Sequence, residues 1–336
     1  MNLVDLCQRH ILMDEFDFIE KLKHHFNFEI LGDDCAVLPF GETDDLLITT
    51  DILVEDIDFR FSWSGPNLVG HKALAVSLSD LAAMAGEPVW AFFSVAVPEL
   101  LWNEQFMTSF YEGINTLAEE FSVSIAGGDM SGSKDKFLVD CIVAGRCPRG
   151  TAVLRSGARP GDLIFVSGTL GGAQAGLRFL ENGVRQEGAV DGPVRRLIKK
   201  QLQPRPEVTF SKHLGTGGLA TSLIDISDGL SSDLLRLCRA SKTGAVIEAS
   251  GIPLDPDLDA VPPEMLRTGE TVLDLALHGG EDFRLLFTVS PEDRRSVEAI
   301  GGIEIGRMVN DEETYEIVKS GDVEKLEARG FDHFRE

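Results

Sequence analysis

LGDDCAVL at Leu31–Leu38, followed by LLITTDILVE at Leu46–Glu55, decides how the rest of this 336-residue chain is read. In each stretch apolar and β-branched residues adjoin a knot of acids and hydroxyls: Asp33 and Asp34, then Thr49, Thr50 and Asp51. β-Branched runs of this length read as strands. Acids at strand ends mark where an α/β sheet presents ligands, because side chains there leave the packed layer together. The pattern returns at SLSDLAAM (Asp80), AGGDMSG (Asp129) and IDISDGLSSD (Asp225, Asp228, Asp233). Two carboxylates about 4 Å apart repel by roughly 4 kcal/mol at an effective dielectric of 20, so several brought together call for cations. Mg²⁺ suits such a set, since it takes oxygen ligands, keeps waters and completes its shell with substrate phosphates.

Bulk composition narrows the class. The length favours two domains, each able to bury a core, and 43% hydrophobic with 26% charged residues is ordinary for a globular protein. A formal charge of -24 argues against nucleic acid or an anionic membrane as partner. Surface glutamates such as Glu15, Glu20, Glu119 and Glu120 explain most of that charge; aspartates in apolar, glycine-flanked settings need another reason. Five cysteines (Cys7, Cys35, Cys141, Cys147, Cys238) form no C-x-x-C pair, which reads as reduced thiols in a cytoplasmic protein. The start, MNLVDLCQRHILMDEFDF, has no signal-peptide pattern. VWAFFSVAV at 89–97 is too short to span a bilayer and reads as a buried strand.

Strands are expected at Leu46–Thr50, Val89–Val97, Val123–Ala126 and Phe137–Gly145. One helix is expected to open on Asn67 as N-cap and stop at Gly86, and another to run from Asn103 to Phe121. The Pro-, Gly- and Arg-rich segment Cys147–Asp162 reads as a crossing, dividing the chain into residues 1–147 and 148–336. Beyond it come a strand at 163–168, the glycine turn GTLGGAQAG, helices near 173–182 and 205–214, a strand at 219–226, a helix at Ser231–Ala240, and strands at 245–249, 284–289 and 303–309. The fold class is α/β (α+β), two domains of mixed sheets flanked by helices.

Each acid also has a plain structural reading. Asp33 beside Gly32 is ordinary turn chemistry. Asp228 before Gly229 can cap the following helix. Asp80 interrupts LAVSL and LAAMA on a helix and so faces something other than solvent. Gly127–Gly128 before Asp129, and Gly279–Gly280 before Glu281, let backbone N–H groups approach an anion, or simply turn the chain. GTLGGAQAG has no Lys-Ser/Thr ending, so no Walker-type phosphate loop is supported, and the protein-kinase motif set is absent. Lys72 is expected on a solvated helix face, and Arg155 in LRSGARPGD is the best cation for phosphate, since a guanidinium makes paired contacts.

Taken in order, GDDCAVL, TTDILVE, HKALAVSLSDLAAMAGEP, AGGDMSG, LRSGARPGD, IDISDGLSSDL, HGGEDFRLLFTV and GFDHF closely resemble the thiamine-monophosphate kinase family of the ATP-using superfamily that includes aminoimidazole ribonucleotide synthetase. The resemblance runs from about residue 30 to the C-terminal GFDHF. It implies an enzyme that transfers the γ-phosphoryl group of ATP directly onto thiamine monophosphate, giving thiamine diphosphate and ADP. It implies several Mg²⁺ ions held by Asp34, Thr49, Thr50, Asp51, Asp80, Asp129, Asp225 and Asp228. Tyr111, Gly128, Asp129, Arg155 and Ser227 are then the ATP contacts, and Asp58, Glu281 and Phe331 line the thiamine side. Asp51, Asp129 and Arg155 carry the catalytic roles, and the N-terminal domains pair in a homodimer. The chain departs from the family's usual TTD-x-LVEG-x-HF by Asp56 for glycine and Asp58 for histidine, and its GGDMSG replaces a GGDTT-type corner. The rival readings are a related ATP-dependent synthetase, a metal-dependent phosphohydrolase using the same carboxylates, and a non-catalytic nucleotide-binding module.

Overall fold

Helix Pro66–Ala82 has almost no polar face, with thirteen of its 17 residues buried. A helix apolar all round must be covered on every side, and this one lies between two sheets in the computed structural model, which describes residues 15–28, 30–186 and 192–333, with side chains from Phe18 onward. Its Leu74, Leu78 and Leu81 join the first core, with Phe93, Phe110, Phe137 and Val139. Its last residue, Ala82, packs with Phe165, Leu214, Leu223 and Phe287 of the second.

The first sheet has the order β1-β2-β5-β3-β4, from strands Ala36–Phe40, Asp44–Val54, Leu138–Pro148, Glu87–Pro98 and Ser124–Ser133. All neighbours are antiparallel except β3 and β4, which run parallel. Helix Glu104–Phe121 packs with helix 66–82 on one face and is capped by Asn103, whose Oδ1 accepts the Phe106 amide at 2.9 Å. The second sheet has the order β12-β11-β8-β10-β6-β9-β7. Its strands are β6 Leu163–Val166, β7 Ala220–Ile226, β8 Gly244–Glu248, β9 Arg284–Val289, β10 Ile303–Val309, β11 Tyr315–Lys319 and β12 Asp322–Lys325. Among the described residues β5 ends at Pro148 and β6 begins at Leu163, with no helix or strand between them; Cys147 and Pro148 of the expected crossing belong to β5.

Several boundaries differ from the sequence reading, each for a local reason. Helix 66–82 is entered through Gly65 with Pro66 in its first turn, so Asn67 is not the cap; proline's fixed φ suits that position. β2 and β4 run on past the residues expected to end them, so Asp51 and Asp129 stand inside strands rather than at corners. β3 is buried on one face only, with Trp90 and Phe92 exposed. Helices Pro193–Leu202 and Val272–His278 and strands β1, β11 and β12 were not anticipated. Cys7 lies outside the described residues, as does the final Phe of GFDHF.

Candidate metal and nucleotide centre

Asp34, Asp80 and Asp225 come from three separate elements, yet each offers a carboxylate oxygen within 4.8 Å of the others. Asp34 precedes β1, Asp80 rides the last turn of helix 66–82, and Asp225 is the sixth residue of β7 in the second sheet. The cluster therefore bridges the two halves of the molecule. Hydroxyls of the same elements line it. Thr49 Oγ1 donates to Asp80 at 2.5 Å, Ser79 Oγ to Asp225 at 2.6 Å, and Ser77 Oγ to Asp51 at 2.8 Å. Strand alternation sends Thr49 and Asp51 inward together.

Crowding these carboxylates has an electrostatic consequence. Burial pushes Asp51 up to about 6, against hydrogen bonds from Ser77 and Asp80 that favour the charge. Asp225 is pushed up to about 7 by burial and by the neighbouring Asp34. Asp80 is raised further, by burial and then by Asp51, Asp225 and Asp34. Perturbed groups of this kind cluster at functional sites, which makes the set a candidate one. All the donors are oxygens, the set that hard divalent cations take, so the residues fit Mg²⁺.

Arg155 closes one side. Its Nε and Nη2 grip Asp34 at 3.0 and 2.7 Å, and its own amide donates to Asp33 Oδ1 at 2.8 Å. Asp33 is thus a structural partner of the connecting segment. Three chain segments are then stitched beside Asp225. The Glu281 amide donates to Ser227 O at 2.7 Å, the Phe283 amide to Ile226 O at 2.9 Å, and the Phe331 amide to Asp228 O at 3.0 Å. This brings Ser227, Asp228, Glu281 and Phe331 to one corner. A Cβ on Gly280 would lie 2.6 Å from Ser227 O, so that glycine serves this crossing.

Other candidates are placed elsewhere. Thr50 points to the opposite face of β2, where its hydroxyl donates to Asp140 at 2.6 Å. Asp129, exposed on β4, accepts its own neighbour's amide from Met130 at 2.9 Å, with Gly128 before it. Tyr111 packs on the first core, edge-on to Phe110. Asp228 does not cap the helix Leu230–Ser241. Gly229 is its N-cap residue, with no side-chain cap bond; Asp233 in the first turn accepts the Asp228 and Gly229 amides at 3.2 and 3.0 Å, while Asp228 pairs with Arg236 at 2.5 Å. The GTLGG turn is likewise occupied from within, since Asp282 accepts the Gly171 and Ala173 amides at 2.6 and 3.1 Å.

Two departures from the resembled family have a structural reading. Asp56, where glycine is usual, has φ +71°; aspartate is among the few side chains that tolerate this left-handed region. Asp58 Oδ2 accepts the Val54 amide at 2.7 Å and so closes the turn after β2. Lys72 is not on a solvated face. It is 4% exposed, pairs with Glu281 Oε1 at 2.5 Å and donates to Asp58 O at 2.8 Å. Ser77, Ser79, Lys72 and Gln201 were missed; the first three interrupt an otherwise apolar helix, which was the available signal.

The family model for AIR synthase related protein, N-terminal domain, matches residues 32–147, and that for its C-terminal domain matches 159–319. A thiamine-monophosphate kinase of Bacillus subtilis (strain 168) is 34% identical over 96% of this chain and 100% of its own length. That of Escherichia coli (strain K12) is 37% identical over 90% and 91%. The solved structure of AaThiL complexed with AMPPCP and TMP superposes with a TM-score of 0.84 at 32% identity, covering 99% of both chains.

Proposed function

Since this chain belongs to the AIR synthase related family and, within it, to the thiamine-monophosphate kinases, we propose that its carboxylate cluster is the Mg²⁺–nucleotide centre of that reaction. The enzyme transfers the γ-phosphoryl group of ATP to the phosphate of thiamine monophosphate, giving thiamine diphosphate and ADP. The observation that carries the placement is the convergence of Asp34, Asp80 and Asp225 within 4.8 Å across the two halves of the molecule.

The acceptor is a phosphate oxygen, largely ionised at neutral pH, so no strong general base is needed. Catalysis reduces to holding two polyanions in line and stabilising charge as the phosphoryl group moves. Asp34, Thr49, Asp51, Asp80 and Asp225 would hold Mg²⁺, with Asp129 and Asp228 as outer members of the set; Thr50, turned to Asp140 on the far face of β2, is left out of it. Bound there, the ions supply the positive charge that lets phosphate oxygens enter an anionic pocket. Arg155 is the cation nearest the cluster, and its fork is shaped for a carboxylate or a phosphate. Gly128, Ser227 and Tyr111 complete the proposed ATP contacts; Asp58, Glu281 and Phe331 face the acceptor.

The remaining proposals concern assembly and location. The outer face of the first sheet exposes Ile52, Trp90 and Phe92, and its edge strand β4 exposes Ile125 and Met130. Exposed apolar surface beside an unpaired edge favours association, which supports a homodimer through residues 1–147, with residues 148–336 completing the site. No helix among the described residues is long and apolar enough to cross a membrane. The buried free thiols Cys35, Cys141, Cys147 and Cys238 support a cytoplasmic setting.

Incubation of the pure protein with ATP, Mg²⁺ and thiamine monophosphate tests the reading. Thiamine diphosphate and ADP are the expected products. Free phosphate without the diphosphate would make it a phosphohydrolase, and bound nucleotide without turnover a binding module.

A further inference from the structure

Lys72 stands where three segments meet. Its ammonium, on helix 66–82, bonds the carbonyl of Asp58 in the turn after β2 and pairs with Glu281 in the corner before β9. Glu281 in turn accepts from Gln201 Nε2 of helix 193–202 through its other oxygen. A buried ammonium is costly unless paired and hydrogen-bonded, so the site is built around this charge.

Two further observations point to a ligand there. Glu281 has φ +66° without being glycine, and backbone strain of this kind persists where the surroundings impose it, commonly at binding sites. Gln201 is 6% exposed, yet its Oε1 has no hydrogen-bond partner among the described residues. A buried acceptor left over beside a carboxylate fits a ligand that brings N–H donors.

We propose that Lys72 is the positioning residue of the acceptor subsite: it fixes Glu281 and the Asp58 turn so that the Glu281 carboxylate and Gln201 Oε1 receive the amino-substituted ring of the phosphorylated acceptor. The inference rests on the thiamine-monophosphate reading, in which the aminopyrimidine supplies that amine. Lys72 does not touch the reacting phosphate. Without it, Glu281 keeps a half-buried charge with no cation, and its carboxylate is held by Gln201 Nε2 alone.

Steady-state kinetics of full-length Lys72→Met, Lys72→Arg and Gln201→Leu, varying each substrate separately, test this. Wild-type turnover of thiamine monophosphate comes first; its absence overturns the underlying reading, and this assignment with it. Given turnover, Lys72→Met should raise KM for thiamine monophosphate about tenfold or more, the loss of one charge-assisted hydrogen bond. KM for ATP should stay within about twofold, kcat should change less than the acceptor KM, and Lys72→Arg should recover part of the loss. A residue that merely fastens the two halves together would move both KM values together. That result, or an acceptor KM within twofold of wild type, overturns the proposal. Should Lys72→Met not fold, Gln201→Leu and Lys72→Arg decide it: a rise confined to the acceptor KM in either upholds the proposal, and no rise in both refutes it.

Discussion

Asp51 shows what a single residue contributes and costs. Held inward on β2 beside Asp80, with Ser77 as donor, it carries a charge that burial disfavours. Asp51→Asn is nearly isosteric and removes that charge. Turnover should therefore fall by at least about a thousandfold (about 4 kcal/mol of barrier), while the thermal midpoint in chelator-containing buffer should rise. Activity near wild type would remove Asp51 from the metal set, and a lowered midpoint would contradict the electrostatic account. Asp282 gives a cleaner pH dependence. Burial pushes its carboxyl from 3.8 up to about 6, outweighing the Gly171 and Ala173 amides. Because the folded value is the higher one, the folded state binds the proton more tightly. Its stabilising contribution is complete below about pH 4 and is lost as pH rises through 6. At 1.36 kcal/mol per unit this amounts to about 3 kcal/mol. Urea unfolding of wild type and Asp282→Ala at pH 4 and pH 7 should show the decline shrinking by that order in the variant; an unchanged decline would exclude Asp282 as its source.

At the scale of elements, strand period separates what a motif lists together. TTD in β2 reads as one ligand-bearing run, but alternation sends Thr49 and Asp51 to the helix side and Thr50 to Asp140 on the far side. AGGDMSG reads as a corner, yet it is part of β4, and Gly128 is what lets β4 lie against β3. A Cβ there would sit 2.1 Å from the Phe93 carbonyl oxygen. Gly128→Ala should therefore cost about 1–3 kcal/mol by overpacking, seen as a lower urea midpoint, and should raise KM for ATP because Asp129 follows directly. A variant as stable as wild type would mean the strands separate freely at this point. The helix signals behaved unevenly for a similar reason. Asn103 caps its helix as its residue type favours, whereas Pro66 pre-empts Asn67, and Gly229 rather than Asp228 stands at the N-cap of helix Leu230–Ser241.

At the scale of the whole molecule, the two sheets share one buried helix, and the carboxylate cluster lies at that junction. The other side of the first sheet is left apolar and open at Ile52, Trp90 and Phe92. If a second copy covers it, the double variant Ile52→Asp with Trp90→Asp should convert a dimer to a monomer in light scattering. A wild-type monomer at micromolar concentration would end the dimer proposal. A clustering of acids was legible in the chain because acids and hydroxyls recur in apolar, glycine-flanked runs, and the ordered motifs carried the family. Element types were legible through periodicity. Which acids meet was not, since Ser79 and Asp225 bond across 146 positions and Asp34 and Arg155 across 121.

The sequence by itself determined most of the elements, which depend on residue type and local order, and its ordered motifs carried the family and with it the reaction class. Only the tertiary structure decided that Lys72 is buried against Glu281 and the Asp58 turn, that Thr50 faces away from Asp80, and that Asp225 joins Asp34. Those outcomes depend on how helix 66–82 is enclosed from both sides, and no local pattern encodes a contact between segments more than a hundred residues apart.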